Sequence, residues 1–364
     1  MRHNAHARPP ASIRELFKEW RKRPASEIRS DPTLIDPLSP DPMRVSFLLH
    51  SETPQVTDLD TVVRDFCGHA NTTSVSPGSP PGRAFEIKGL PGLQVFPSLL
   101  PPRVQLNLLD KLLHRNLSNP AHKTNLHLHH HVQYPEDNQD SSFFAEAHNT
   151  TIQPKDPTLH KPITYAQMLE SKLRWITLGG QYDWTNKVYP NEIPPTFPAD
   201  IATLLKHLFS SVDAQAAIVN FYSPGDTLSI HRDVSEECDR DLVSISIGCD
   251  GIFLVGNDEG TAVPVRLRSG DAVLMSGASR YAWHGVPRIL AGTCPEWLRD
   301  WPDVPGQGPY RSWRGWMNNK RINLNVRQIT ETSRDEKEPQ LLTRSDGIIF
   351  PNEAGEFVSV IKPG

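Results

Sequence analysis

From Ala217 to the 320s the chain alternates apolar and polar residues with a period of two, the mark of strands that bury one face. Segments 217–222, 228–231, 242–247, 251–255, 264–268, 271–275, 281–284 and 321–329 are read as strands on this basis. The run from Val263 to Met275, with Ser269-Gly270-Asp271 in its middle, reads as a hairpin. Upstream the period changes to that of a helix. Val104, Leu106, Leu108, Leu109, Leu112 and Leu113 give 101–117 an apolar side, and Ile201, Leu204, Leu205 and Leu208 do the same for 196–211, with Pro198 near its start. Gly92 to Phe96 reads as a further strand. Near the N-terminus, Ser12-Ile-Arg-Glu15 has the form of a capping box. It opens a helix with Ile13, Leu16, Phe17 and Trp20 on one face and Arg14, Lys18, Arg21 and Lys22 on the other. Such a basic face is either ordinary solvated surface or a contact for phosphate. Two helices backing a set of short strands predict an α+β fold, a double-stranded β-helix or jelly-roll barrel.

The rest of the chain lacks periodicity. Residues 24–60 and 70–85 are rich in Pro, Ser and Asp and read as loop, with a short helix near Asp58 to Cys67. Pro135 to Pro157 reads as a mobile surface loop. The tail from Thr330 is charged and then apolar at 347–350 and 357–361, which predicts an extra hairpin. The expected division is a helix and Pro-rich arm over 1–88, a principal domain over 89–330 and a tail over 331–364.

Chemistry enters on the strand segments. His231-Arg-Asp233 places an imidazole and a carboxylate two residues apart, hence on one face of a strand, and His284 offers a second imidazole from a later strand. Two histidines and one carboxylate on one face of an iron leave open positions for a cosubstrate and O2. His-x-Asp alone is weak in a chain with 15 histidines, so its context decides. In Arg321-Ile-Asn-Leu-Asn-Val-Arg327 the residues Arg321, Asn323, Asn325 and Arg327 share one face, which is cationic and rich in hydrogen-bonding groups. Buried arginines call for anions, and a guanidinium matches a carboxylate through paired hydrogen bonds. 2-Oxoglutarate carries a carboxylate at each end. Asn220 and Tyr222 alternate inward on the strand leading to His231. The set points to an oxygenase using Fe(II), 2-oxoglutarate and O2. His127-Leu-His129-His130-His131 is a rival metal candidate, but it has no carboxylate at strand spacing and reads as solvated surface.

Composition narrows the picture further. With 364 residues, 37% of them hydrophobic, the chain can bury one large core or two modest ones, and 34 prolines concentrated outside the motif region favour one core with irregular arms. The net charge of −4 gives no overall positive field, so any nucleic-acid contact has to come from local patches. Cys67, Cys238, Cys249 and Cys294 have no paired spacing, which fits a reducing compartment and no structural zinc. No apolar run reaches the roughly 20 residues that span a bilayer, so no membrane partner is expected. Cytoplasm or nucleus is the expected location. The mitochondrion is the alternative, because no acidic residue precedes Glu15.

Together these residues resemble the AlkB family of nucleic-acid dealkylating oxygenases, on the branch of the first eukaryotic AlkB homologue. The resemblance runs from about Gly89 to Gln328 and takes in Leu173-Arg-Trp-Ile-Thr-Leu-Gly179, Tyr182-Asp-Trp184 and Thr196-Phe-Pro-Ala-Asp200. It implies that His231, Asp233 and His284 bind iron and that Arg321 takes the distal carboxylate of 2-oxoglutarate. It further implies that Arg327 supports the iron-side carboxylate and Asp233, with Asn220, Tyr222 and Asn323 completing the pocket. The reaction implied is oxidative demethylation of N-methylated nucleobases, with release of formaldehyde, succinate and CO2. Two departures stand out. Bacterial members have a second acid in a His-x-Asp-x-Asp pattern where this chain has Ser235, so substrate preference does not carry over. The stretch between His284 and Arg321 also holds a Pro/Trp-rich insertion, Cys294 to Trp316.

Trp175, Tyr182, Trp184 and Tyr189 precede the barrel and are either core or a lid, near 173–190, on which an unpaired base stacks. Tyr182, Trp184 and Ser235 are the expected substrate contacts. Arg311-Ser-Trp-Arg314-Gly-Trp316 and Lys320 form a second mixture of cations and aromatics, suited to gripping a backbone or to packing. The expected partner is nucleic acid, most of all RNA, with tRNA first, or single-stranded DNA, ahead of duplex DNA, since an unpaired base avoids the cost of unstacking. The chain is expected to act as a monomer. Two other readings stay open: a hydroxylase of protein or small-molecule substrates with the same iron site, and a non-catalytic RNA-binding relic.

Overall fold

The strand Arg321–Arg327 is the spine of the larger sheet, and its alternation sets the layers of the molecule. Ile322, Leu324 and Val326 lie opposite Ile247, Ile245 and Val243 on one neighbour and Phe221, Val219 and Ala217 on the other. All nine are buried in the main core. Over this apolar face pack the helix Pro102–Asp110, continued by the π-helical turn Lys111–Asn116, and the helix Ala199–Leu208. Burying each of the larger of these side chains contributes roughly 1.5–3 kcal/mol relative to leaving it in water, and Ala217 less. The opposite face of the same strands carries the polar residues and turns toward a second sheet.

The computed structural model describes residues 4, 7–49, 59–68, 81–135, 142–183, 186–190, 192–303, 309–331, 349–351 and 357–359. The larger sheet has eight strands in the order Val45–Phe47, Phe85–Ile87, Leu93–Phe96, Ala272–Met275, Leu242–Gly248, Arg321–Arg327, Ala216–Tyr222 and Trp175–Gly179. The smaller has four, in the order Ala262–Leu267, Gly251–Gly256, Trp283–Ile289 and Leu228–His231. The pairings within both are antiparallel. The two sheets, with helices on the outer face of the larger, form the expected jelly-roll barrel. No helix among the described residues is long and apolar enough to cross a membrane.

Several expectations are corrected. Val263–Met275 is not a hairpin: the turn is present, with Gly270 at φ 90°, but Ala262–Leu267 pairs in the smaller sheet and Ala272–Met275 in the larger. The turn is a corner at which the chain changes sheets. Asp271 fixes it by accepting the backbone N–H groups of Arg268 and Ser98, each at under 3 Å (2.7 and 2.8 Å). The expected strand 281–284 begins later, at Trp283 after a 3-10 turn over Gly277–Tyr281, and runs on to Ile289. The capping box does not form. The first helix starts at Ala11 behind Pro10, so Ser12 already lies inside the first turn and caps nothing.

The arm read as irregular contributes Val45–Phe47 and Phe85–Ile87 to the larger sheet, and residues 1–329 form one unit with no break near 88. The helix Leu59–Cys67 is where it was expected. The stretch 135–157 is not simply a surface loop. Ser142, Phe143 and Phe144 are buried, and Thr151–Pro154 pairs as a strand, while 136–141 lies outside the described residues. In the tail, Ile349–Pro351 pairs antiparallel with Phe357–Ser359 as the expected hairpin.

Candidate metal centre and cosubstrate pocket

His231 and His284 face one another directly in the register of their two strands, with ring centroids 4.4 Å apart. Each ring is oriented by its own strand. His231 Nδ1 donates to the carbonyl of Ser229 (2.9 Å) and His284 Nδ1 to that of Ala282 (3.0 Å). Both Nε2 lone pairs are thereby turned toward Asp233, the tautomer a metal ligand needs. One ligand atom from each of His231, Asp233 and His284 lies within 4.8 Å of the others. Burial, and then the neighbouring His231, pull the imidazole of His284 down to about 4, so it is neutral at neutral pH. Burial alone pushes the Asp233 carboxyl up, but Arg327 and then the two histidines outweigh it and hold it well below the usual carboxylate range.

Asp233 corrects one expectation. It was placed by strand alternation, yet its strand ends at His231 and Asp233 lies in irregular chain beyond it. Side chains hold it instead. Arg327 Nη2 donates to Oδ2 at 3.0 Å and Asn325 Nδ2 donates to the same oxygen at 3.3 Å. Oδ1 faces Nε2 of His231 at 3.8 Å.

The pocket expected for 2-oxoglutarate is built on the inner face of the larger sheet. Across it run three rows: Gly248, Arg321 and Tyr222; Ser246, Asn323 and Asn220; Ser244, Asn325 and Ile218. Arg321 is 2% exposed and donates only to neutral oxygens, the carbonyls of Cys249 and Leu267 (3.2 and 3.3 Å) and Ser246 Oγ (2.7 Å). Among the described residues no carboxylate lies within ion-pair distance of it. Its Nε and the hydroxyl of Tyr222 are buried without a hydrogen-bond partner. Burial also pushes the Tyr222 phenol up, keeping it a neutral donor. A buried cation and a buried phenol, both with unused donors, fit an incoming carboxylate. Asn323 Nδ2 is held by Ser244 Oγ (2.8 Å) and the carbonyl of Ile245 (3.1 Å). Ser244 and Ser246 join the pocket unexpectedly, although the alternation of Leu242-Val-Ser-Ile-Ser-Ile247 already puts both on one face of the strand.

A cavity of about 250 Å³ opens beside two members of the triad, His231 and Asp233, and is also lined by Tyr182, Asn220, Leu228 and Ser235 among others. Tyr182 and Ser235 meet there, Oη to Oγ at 3.2 Å, and Ser235 Oγ donates to the carbonyl of Lys187 at 2.8 Å. Tyr189 packs edge-on to Tyr182 and accepts from Arg327 Nη1 (3.2 Å), so the 180s segment is fastened to the metal site. Trp184 lies outside the described residues. The insertion behaves as packing. Trp301 and Tyr310 both stack with His114, Trp313 is buried, and Trp316 Nε1 donates to the carbonyl of Leu169, while Arg311 and Arg314 remain exposed. The rival histidines 127–131 assemble no third ligand, as no other cluster among the described residues holds three.

Residues 92–327 match the model of the 2OG-Fe(II) oxygenase superfamily. The chain belongs to that superfamily. As a member it works with Fe(II), 2-oxoglutarate and O2, for which the triad and the arginine pocket supply the fitting donors. The AlkB resemblance, on the branch of the first eukaryotic homologue, is borne out by relatives. The chain is 44% identical over 355 residues to the N6-methyladenosine RNA demethylase ALKB1 of Pyricularia oryzae, covering 90% of this chain and 98% of that one. It is 52% identical over 225 residues to the N6-methyladenosine RNA demethylase ALKBH of Cryphonectria parasitica, covering 57% and 100%. It is 37% identical over 257 residues to the tRNA demethylase abh1 of Schizosaccharomyces pombe, covering 68% and 82%.

Proposed function

We propose that this oxygenase removes methyl groups from N-methylated bases in RNA, tRNA first among them, acting as a monomer in the cytoplasm or nucleus. The observation that carries the reading is a His-Asp-His cluster, two of whose members line a cavity that Tyr182 and Ser235 also line. The RNA preference rests on the substrates named for the relatives. The four cysteines are buried, and none is seen in a disulfide among the described residues, which fits a reducing compartment.

In this reading His231, His284 and Asp233 would hold Fe(II), the donor set suited to it. Arg321 and Tyr222 take the distal carboxylate of 2-oxoglutarate, Asn220 and Asn323 line its length, and Arg327 steadies Asp233. Bound Fe(II), with 2-oxoglutarate and O2, supplies the oxidising power that hydroxylates an N-methyl group, which then leaves as formaldehyde while succinate and CO2 form. The chain's own part is to orient the base under Tyr182, keep bulk water from the floor of the cavity and hold the ligands rigidly.

The test is formaldehyde and succinate release with N6-methyladenosine-containing single-stranded RNA, methylated tRNA and methylated duplex DNA. The expected outcome is formaldehyde from the RNAs first, abolished in His231→Ala and strongly reduced in Arg321→Ala. Succinate without formaldehyde would keep the oxygenase and turn the search to protein or small-molecule substrates. RNA binding with neither product in the wild type would leave a binding relic.

A further inference from the structure

The sheet fixes the two histidines of the triad but not the carboxylate, because the strand carrying His231 stops there and Asp233 begins an irregular loop. One side chain spans that loop. Arg280 is 1% exposed and sits in the 3-10 turn immediately before the strand that carries His284. Its Nη1 donates to the carbonyl of Asp233 (3.0 Å), its Nε to the carbonyl of Arg240 (2.6 Å), and its Nη2 to Oε2 of Glu236 (3.0 Å). A single guanidinium therefore grips the loop at its first ligand, its middle and its far end. It does so from the segment that delivers the other buried ligand. Only Arg has a donor fork wide enough for three such acceptors.

Glu236 completes the device. Its side chain is 2% exposed, with one oxygen on Arg280 and the other, Oε1, 3.6 Å from Nε of Arg327. Oε1 and Arg327 Nε have no hydrogen-bond partner. Arg327 in turn holds the Asp233 carboxylate. Two arginines and two acids thus form a neutral buried cluster, in which one arginine holds the backbone of the ligand and the other its side chain. Without Glu236, two positive charges would face one carboxylate beside a cation site, and both would work against metal binding.

We infer that Arg280 and Glu236 are positioning residues of the metal centre, which place the Asp233 carboxylate and balance the charge of Arg327 so that Asp233 stays available to the metal. The inference rests on the triad being the metal site. The experiment measures Mn(II) affinity of the full-length, metal-stripped protein in the absence of 2-oxoglutarate, for wild type, His231→Ala, Glu236→Gln and Arg280→Lys, alongside the thermal midpoint of each. Glu236→Gln keeps size and shape. Arg280→Lys keeps the charge but cannot reach three acceptors. Each is expected to weaken Mn(II) binding about tenfold or more, the usual effect of losing a residue that orients a metal ligand. His231→Ala is expected to abolish binding.

Mn(II) affinity within twofold of wild type in Glu236→Gln, with His231→Ala still abolishing it, would overturn the inference while sparing the triad, even if the midpoint falls. Equal Mn(II) binding by wild type and His231→Ala, or none by wild type, would overturn both. Should Arg280→Lys fail to fold, Glu236→Gln decides alone.

Discussion

Gly251 shows how closely Arg321, the arginine proposed to receive 2-oxoglutarate, is seated. A Cβ at this position would lie 2.7 Å from Arg321 Nε and 2.9 Å from its Cζ, so Gly251→Ala has to push the guanidinium out of place. Arg321 is buried and donates to the carbonyls of Cys249 and Leu267, so displacing it disturbs those bonds. The expected result is a KM for 2-oxoglutarate raised by about tenfold with the fold retained, as one lost charge-assisted hydrogen bond is worth about 1.5–3 kcal/mol. An unchanged KM in steady-state succinate assays would show that Arg321 does not receive the cosubstrate. A second residue governs acid sensitivity. Burial against Trp301 and Tyr310 pulls the His114 imidazole down to about 4 from 6.5. The unfolded chain then binds more protons between those values, so stability is present above pH 6.5 and is lost as pH falls toward 4. At pH 5 the loss from this one group is about 2 kcal/mol. His114→Phe, which keeps a ring in the stack, is expected to remove that part of the difference between urea denaturation at pH 7.5 and at pH 5. At this scale the sequence was informative about facing wherever a candidate residue lies on a strand, as Arg321, Asn323 and Tyr222 do. Arg280 and Glu236 act from a turn and a loop, where no periodicity marks which way a side chain points.

Strands carry their facing in the sequence but not their partners. The alternation of Arg321–Arg327 told correctly that Ile322, Leu324 and Val326 face away from the arginines, and the pairing with Leu242–Gly248 and Ala216–Tyr222 keeps that division across three strands. The same alternation said nothing of the corner at Gly270, because a turn between two paired strands and a turn between two sheets look alike in residue type. Nor did it mark where the His231 strand ends, since a two-residue spacing of ligands fits a strand and a clamped loop equally well. The central strand allows a direct test of what the apolar layer contributes. Leu324 is 1% exposed in the main core, and Leu324→Ala is expected to cost about 2–5 kcal/mol in urea denaturation, the range for a buried leucine whose surroundings cannot collapse. A cost under about 1 kcal/mol would mean that the helices close over the gap and that the layer is softer than its packing implies.

On the scale of the whole chain, the N-terminal arm is part of the oxygenase core rather than an appendage. Trp20 and Ile28 are fully buried against Ile252 and Leu290, and Ile13 against Leu254 and Trp283. Ile35 bridges to Val265, while Asp36 takes a bidentate pair from Arg268. The first helix thus backs the strands that bear His231 and His284, with Arg14, Lys18, Arg21 and Lys22 on its exposed side. Proline content suggested an irregular arm because proline forbids long helices, but it does not forbid short edge strands or single anchoring side chains. If the arm belongs to the core, Trp20→Ala must destabilise the metal centre together with everything else. It is expected to cost about 3–5 kcal/mol, and loss of Mn(II) binding should follow the same urea transition as tryptophan fluorescence, shifted as in Leu324→Ala. An arm that merely lay on the barrel would behave differently. Trp20→Ala would then add an early transition and leave the one that releases the metal where it was, and the arm would have to be redrawn as a separate element that the oxygenase does not need in order to stand.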